Sequence, residues 1–325
     1  MSKFTSKFAQ NIESMLEYME ALGRSRSSYE STLLNFDRFC REKFPCETKI
    51  TKEVAVEWMQ KRPKEKVGGL AVRAGVLRRL CEYVNSIGGE AYVLPEKYTG
   101  GKSAFEPYIF TGEELNALFK AADKIEPEKN NPLKHLIIPV IFRLIYTCGL
   151  RPNEGRELKR NNIYFDTGEI LITETKMNKE RIVVMSSDML SLCRKYDTAR
   201  NIFFNGSEYF FPSADGGVYS AQWFQNQFKF CWEQANSGRN ISALPSVRVY
   251  DLRHRFASAV LNRWLDSKTD LYAKLPYLRS YMGHKNMSET AYYIHLLPEN
   301  LAKSPGIDWS AFDEIIPEVS VCPEE

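Results

Sequence analysis

Hydrophobic positions in the first hundred residues recur at the spacing of α-helices, with polar residues between them. Four such series are Phe8, Ile12, Leu16 and Met19; Tyr29, Leu33, Phe36 and Cys40; Val54 and Trp58; and Val72, Val76, Leu80 and Val84. Thr51 precedes the third series, where its hydroxyl can cap a helix. Since these residues show no strand-like alternation, we predict a small helical bundle over residues 1–88.

Residues 89–107 lack a clear period and are rich in Gly, Pro and Lys, which predicts a linker. A second unit is predicted over residues 108–303, beginning with the capping-box pattern Thr111-Gly-Glu-Glu114. A long apolar helix follows near residues 133–148. We expect Pro139 to kink or delay this helix and Gly149 to end it in a left-handed conformation.

The pattern then changes to alternating positions separated by a tight turn, which predicts strands. The expected order is strand Asn162-Ile-Tyr-Phe, turn Asp166-Thr-Gly168, strand Glu169-Ile-Leu-Ile-Thr173 and strand Arg181-Ile-Val-Val-Met185. The remainder of the second unit reads as mostly helical. The last stretch, residues 304–325, carries Trp309, Phe312 and Ile316 on one helical face.

The composition fits a globular protein, with 43% hydrophobic and 26% charged residues among 325. No apolar run is long enough to span a bilayer, and MSKFTSKFAQ at the N-terminus lacks the apolar stretch of a signal peptide. We therefore expect a soluble, cytoplasmic protein without a membrane partner. The seven cysteines are scattered and form no CxxC pair, which favours reduced thiols over a zinc site or disulfides.

The charge distribution leaves two interpretations open. The net charge is +3, but residues 304–325 hold six acids and no Lys or Arg, so the rest of the chain carries +9. A basic body attracts phosphates, although an ordinary solvated surface gives the same count. Arg73, Arg78 and Arg79 are expected off the apolar face of the fourth helix, where they contact a DNA backbone or simply face solvent.

Five segments of the second unit are candidates for chemistry. In chain order they are Gly149-Leu-Arg-Pro-Asn-Glu154, Lys176, Tyr250-Asp-Leu-Arg-His-Arg-Phe256, Met282-Gly-His284 and Tyr293. Each alone has an ordinary structural reading, such as an Arg151–Glu154 pair or a packed tyrosine. Arg253 is expected in the first turn of a helix with the core face Phe256, Val260 and Trp264. The helix dipole disfavours a cation there, which makes sense if an anion binds nearby.

Taken together, the five segments resemble the tyrosine recombinase (phage integrase) family. That family carries G-L-R-x-x-E, a hairpin Lys in G-K-x-x-K-x-R, H-x-L-R-H, L-G-H, and a Tyr nine residues after the last His. This chain has GLRPNE, TKMNKER, YDLRHRF and MGH, and Tyr293 follows His284 by nine residues. Order and spacing agree over roughly residues 108–300, and the joint pattern is much more specific than any single segment.

The resemblance implies a mainly α fold, with an N-terminal helical core-binding domain and an α+β catalytic domain that has a small antiparallel sheet. It implies a site-specific recombinase that cuts and rejoins DNA through a 3′-phosphotyrosyl link, without metal, other cofactor or ATP. The implied partner is a double-stranded recombination site, bound by a homotetramer in a synaptic complex, with a monomer expected when free. It also implies that residues 304–325 pack on a neighbouring protomer; docking on their own domain is the alternative.

The resemblance further implies a role for each residue. Arg151 and Arg253 hold the scissile phosphate, since a guanidinium is always charged and binds two oxygens at once. His284 donates another hydrogen bond, and Tyr293 attacks the phosphorus. Lys176 protonates the leaving oxygen. Fixed cations suit this task because negative charge builds up on the phosphate during attack.

Three positions leave alternatives. Lys179 is a rival for the role of Lys176, and Tyr292 for that of Tyr293, although the family spacing favours Lys176 and Tyr293. Tyr250 stands where the family has His, and a phenol with an ordinary pKa near 10 is a poor proton acceptor. We expect Tyr250 to contact the phosphate and His254 to be structural. Two other functions remain open: a type IB topoisomerase-like relaxation activity and a catalytically inactive DNA-binding regulator.

Overall fold

The computed structural model describes residues 3–63, 65, 67–98, 107–173, 180–204, 206–267 and 269–294. The chain divides into two compact units, residues 1–106 and 107–325, and each is described by itself. Lys176, Lys179 and the predicted amphipathic stretch at 304–325 lie outside the described residues. Within the described part, no helix is both long and apolar enough to cross a membrane.

The first unit is a bundle whose helices are α1 Ala9–Ala21, α2 Ser27–Lys43, α3 Lys52–Trp58 and α4 Val67–Ser86. The apolar series predicted for α1, α2 and α3 are all buried in one core, which confirms the helical period. Thr51 caps α3 as predicted, because its hydroxyl accepts a hydrogen bond from the Val54 amide at 3.3 Å.

The buried face of α4 differs from the prediction at its start. Val72 is 58% exposed, whereas the neighbouring Arg73 is 6% exposed. Arg73 donates two hydrogen bonds of 2.7 Å to the Glu65 carboxylate and another to the Trp58 carbonyl. The expectation that Arg73 lies off the apolar face is therefore wrong. A guanidinium can occupy a core position where an acid and carbonyl oxygens satisfy it.

The first half of the predicted linker belongs to the first unit. Ala91 forms a parallel β-bridge with Ile50, and Leu94 is fully buried in the same core. The Leu94 carbonyl also accepts a 3.1 Å hydrogen bond from Arg78. Residues 89–98 are thus packed structure, and the linker predicted at 89–107 begins too early.

The second unit is mainly helical with one small sheet, as predicted. Its helices are α5 Gly112–Asp123, α6 Lys134–Cys148, α7 Pro152–Arg156, α8 Ser187–Phe203, α9 Ala221–Ala235, α10 Val249–Asp266, α11 Leu271–Met282 and α12 Met287–Ala291. The strands β1 Ile163–Tyr164, β2 Glu169–Ile172 and β3 Arg181–Val184 form an antiparallel sheet in the order β1-β2-β3. Ile170 lies opposite both Ile163 and Val183, and all three face the core.

Local signals in the second unit hold with two corrections. The Thr111–Glu114 capping box is present, and Gly149 ends α6 with a left-handed φ of 62°. Pro139 does not delay α6, which begins five residues earlier at Lys134. The buried face of α10 is also shifted by one residue from the predicted one. The predicted residues Phe256, Val260 and Trp264 are only half-buried. Its buried apolar residues are Val249, Leu252, Ala257 and Leu261. Because α10 contacts α6, α9 and α11, burial extends beyond one narrow stripe.

Candidate active site

Arg253 is held where two helices end. Gly149 after α6 and Gly283 after α11 both have left-handed backbone, with φ of 62° and 64°. A helix end leaves carbonyl oxygens without partners inside the helix. Arg253, from α10, donates hydrogen bonds of 2.6 Å to the carbonyls of Gly149 and Met282, and its side chain is fully buried. The guanidinium is therefore positioned by backbone atoms of both helix ends.

His284 follows the second of these glycines and contacts Arg253. Its Nε2 lies 3.1 Å from Nη2 of Arg253, and its Nδ1 lies 2.8 Å from the Thr290 hydroxyl oxygen. A guanidinium has no acceptor, so Nε2 accepts this hydrogen bond and Nδ1 carries the proton. Burial, together with the charges of Arg253 and Arg151, lowers the pKa of His284 to about 3. The imidazole is consequently neutral at pH 7.

A carboxylate and a second arginine fix Arg151. Arg151 donates from Nη1 to Glu154 at 2.7 Å and from Nη2 to the Gly283 carbonyl at 2.6 Å. Arg181, on β3, contacts both Glu154 oxygens at 2.9 and 2.7 Å and donates to the Tyr281 carbonyl at 2.8 Å. Burial opposes ionisation of Glu154, but Arg181 and Arg151 outweigh it and lower its pKa to about 2. Glu154 therefore stays charged and anchors Arg151 beside His284.

Tyr293 lies two residues after the end of α12. Its ring stacks on His284, with centroids 5.8 Å apart and planes inclined by 15°, and it lies 5.4 Å from the His254 ring. The Tyr250 ring lies 5.0 Å from the His254 ring. Burial raises the pKa of Tyr293 to about 12, although the charge of Arg253 opposes this shift.

These side chains surround one cavity of about 1020 Å³. Arg151, Tyr250, His284 and Tyr293 all line it, and Arg253 contacts the lining residue His284. Five of the six side chains predicted to act together are thus brought into one place, while Lys176 lies outside the described residues. Within the described residues, no group of three His, Cys, Asp or Glu side chains is arranged to hold a metal ion.

Sequence reasoning had given no role to Arg181, which joins β3 to Glu154 and to the end of α11. The signal was available, because Arg181 occupies the final position of the hairpin pattern TKMNKER. Nothing in the sequence pointed to the carbonyls of Gly149 and Met282 as the partners of Arg253. Those contacts depend on how three helices meet.

The arginines predicted to contact DNA in the first unit are engaged in contacts within that unit. Arg73 is buried against Glu65. Arg78 donates to Glu82 at 2.9 Å, and Arg79 donates to the Tyr29 hydroxyl at 2.8 Å while lying over its ring. Arg78 and Arg79 keep part of their side chains exposed. Contact with DNA by these residues stays a prediction.

Comparison with known proteins identifies the class to which this fold and site belong. The Phage integrase family matches residues 109–300, and the chain belongs to this family of tyrosine recombinases. It is 29% identical over 302 residues to a putative integrase/recombinase, y4rE, of Sinorhizobium fredii, covering 90% of this chain and 93% of that protein. It is 24% identical over 323 residues to the tyrosine recombinase XerD of Rickettsia bellii, covering 93% and 97%.

Solved structures show the same fold. The XerH recombinase in a post-cleavage complex with its difH substrate has a TM-score of 0.61 at 18% identity, covering 88% of this chain and 80% of that one. The Tn1549 transposon integrase in complex with transposon right-end DNA has a TM-score of 0.60 at 13% identity, covering 87% and 94%. The fold class is therefore that of tyrosine recombinases, mainly helical with a three-stranded antiparallel sheet.

Proposed function

We propose that this protein is a site-specific DNA recombinase that cleaves and rejoins strands through a 3′-phosphotyrosyl link to Tyr293, without metal or ATP. The observation that carries the proposal is the convergence of Arg151, His284 and Tyr293 on one cavity, with Arg253 bonded to His284. Family membership and the DNA-bound state of the two structural neighbours support DNA as the substrate.

The arginines stabilise the negative charge that develops on the phosphate. Attack on a phosphodiester adds a second negative charge to the phosphate, and fixed cations in a site that excludes water stabilise it strongly. Arg151 reaches the phosphate from the cavity wall. Arg253 donates to the phosphate the hydrogen bond that it makes to His284 without DNA, while the carbonyls of Gly149 and Met282 keep its guanidinium in position. Tyr250 contributes a hydrogen bond to the phosphate.

His284 can become a donor through a change of tautomer. Without DNA its Nε2 accepts from Arg253, so it has no proton to offer the cavity. When a phosphate takes that Arg253 hydrogen bond, Nε2 is released to carry a proton toward the phosphate. The Thr290 hydroxyl can donate as well as accept, so it then supplies the hydrogen bond to Nδ1.

Tyr293 forms the covalent link. Its oxygen bonds to phosphorus, the bond to the 5′ oxygen breaks, and Lys176 supplies the proton that the leaving oxygen needs. The phosphotyrosyl ester retains the energy of the phosphodiester bond, so the reverse attack by a 5′-hydroxyl reseals the strand without ATP.

The test is covalent trapping with the full chain. The probe is a pool of random-sequence DNA duplexes, each with one nick, so that a short strand lost after cleavage prevents resealing. We expect detergent-resistant protein–DNA complexes whose attached strands identify the preferred site. Tyr293→Phe should form none. Tyr292→Phe is the matched control, since the neighbouring phenol also lines the cavity and is 39% exposed, and it should retain complex formation.

The products separate recombination from other outcomes. Two duplexes carrying the selected site should yield strands joined between them, in a complex the size of four protomers. Relaxation of a supercoiled circle without joined strands would favour a topoisomerase-like enzyme. Binding without a covalent complex would favour a regulator. Deleting residues 304–325 should impair assembly more than a single cleavage, if that stretch packs on a neighbouring protomer.

A further inference from the structure

The hydroxyl of Tyr293 must lose a proton as it attacks, and its environment makes that loss difficult. Burial raises the pKa of Tyr293 to about 12, despite the opposing charge of Arg253. A proton acceptor beside the ring would remove this obstacle, and general bases typically contribute 10²- to 10⁴-fold to rate. An acceptor is needed only if Tyr293 attacks phosphorus, so the inference rests on the proposed function.

Most polar groups around Tyr293 are unable to accept it. Arg151 and Arg253 carry only donors. Both oxygens of Glu154 are already bonded to Arg181 and Arg151, and its pKa is about 2. The lone pair of His284 faces Arg253, so protonating that nitrogen would place two cations against each other.

The second imidazole of the site is differently placed. His254 lies next to Arg253 on α10, and its ring centroid lies 5.0 Å from that of Tyr250 and 5.4 Å from that of Tyr293. It lines the same cavity as Tyr293. Its Nδ1 is buried and has no hydrogen-bond partner among the described residues.

We propose that His254 is the proton acceptor for Tyr293. As the phenol oxygen bonds to phosphorus, its O–H bond breaks and the proton passes to a ring nitrogen of His254. The 5′ oxygen leaves with a separate proton, and His254 returns its proton to Tyr293 when the strand is resealed. Contact with the Tyr250 ring helps to keep the imidazole ring in place.

The electrostatics of the site keep His254 unprotonated in the free protein, where they also make it a weak base. Burial, with the charges of Arg248 and Arg253, lowers the pKa of His254 to about 4, so its ring is neutral and has a free lone pair at pH 7. A bound phosphate offsets the nearby arginines and makes protonation easier when substrate is present. Alignment of acid–base pairs commonly tightens only when substrate binds, so ring contact without DNA is a sufficient starting geometry.

Chemical rescue tests the proposal. His254→Ala should bind the selected nicked duplex but form the covalent complex about 10²- to 10⁴-fold more slowly than the parent protein. Added imidazoles should restore the rate, and at equal concentration of free base the more basic imidazoles should restore more. The parent protein should not respond, and Tyr293→Phe should not be rescued.

A second variant separates the loss of a base from the loss of packing at position 254. His254→Gln keeps a polar side chain of similar reach without a basic nitrogen, so it should be as slow as His254→Ala while remaining folded. A parent-like rate in either variant, or a rescue that ignores imidazole basicity, would overturn the proposal. If the parent protein itself never forms a covalent complex, the proposed function fails first, and the assignment of His254 fails with it.

Discussion

Nη2 of Arg253 lies 3.1 Å from Nε2 of His284, although 31 positions separate the two residues in the chain. The contact exists because α6 and α11 both end in left-handed glycines beside α10. Arg253 donates hydrogen bonds to the carbonyls of Gly149 and Met282 at these helix ends, and His284 directly follows Gly283. The site and the helix packing are therefore built from the same hydrogen bonds, and mutations should affect them together.

Replacing Arg253 should damage stability as well as activity. Arg253→Met fills a similar volume but leaves the Gly149 and Met282 carbonyls unpaired, which should cost about 3 kcal/mol of unfolding free energy. Arg151→Met should abolish covalent complex formation with a smaller loss, about 1 kcal/mol, because its side chain is 30% exposed. Denaturant unfolding and trapping assays measure both quantities. Equal losses of unfolding free energy in Arg253→Met and Arg151→Met would contradict the structural role of Arg253.

Gly149→Ala should be harmful although Gly149 has no side chain to take part in the chemistry. A Cβ there would lie 2.5 Å from the Phe256 ring, and φ of +62° strains any side-chain-bearing residue. We expect a loss of about 2 kcal/mol and reduced cleavage, since the Gly149 carbonyl positions Arg253.

The matched control is Gly75→Ala in α4, where a Cβ would meet no atom within 4 Å. Alanine favours helix over glycine, so this variant should gain about 0.5–1 kcal/mol. Thermal unfolding compares the two variants. Similar effects at both positions would contradict the argument from backbone geometry.

Glu154 predicts a loss of stability in acid. Its pKa falls from 4.5 to about 2 in the folded protein, so the unfolded chain binds its proton first as the pH drops. The carboxylate contributes about 3 kcal/mol above pH 4.5, and this contribution is lost as the pH falls to about 2. Glu154→Gln should be less stable at neutral pH and show a shallower decline in this window. A decline as steep as in the parent protein would assign acid sensitivity to other groups.

Tyr250→His should keep or raise strand cleavage. The substitution offers an imidazole where the chain has a phenol, next to His254 and on the cavity wall. A second base near Tyr293 adds to proton acceptance and preserves a hydrogen-bonding group for the phosphate. Trapping with the selected nicked duplex measures the rate. Cleavage at background level would mean that the phenol has a function that imidazole does not supply.

The first unit offers a contrast between its arginines. Arg73→Ala should destabilise that unit by roughly 3–5 kcal/mol, because it leaves Glu65 charged and only 12% exposed. If Arg78 and Arg79 contact phosphates, Arg78→Ala and Arg79→Ala should each reduce the salt dependence of DNA binding by about one unit of slope. Binding measured across salt concentrations checks this. An unchanged slope in both would remove them from the DNA interface.

The sequence by itself determined the local elements. The periods of α1 to α3, the Thr51 and Thr111 caps, the end of α6 at Gly149 and the three-stranded sheet all follow from neighbouring residues. Such signals act over a few positions, so they can be recognised in the sequence without knowledge of the fold. The motif residues Arg151, Arg253, His284 and Tyr293 were identified because their order and spacing resemble those of the tyrosine recombinase family.

Only the tertiary structure decided which side chains are satisfied and by what. Arg73 entered a core because Glu65 and the Trp58 carbonyl meet it there, and α10 buried a wider surface because three helices contact it. Arg181 reached Glu154, and His254 came to lie beside Tyr293, across long separations in the chain. Hydrophobic period specifies which way a helix faces, whereas hydrogen-bond partners depend on distances between elements, which no local pattern encodes.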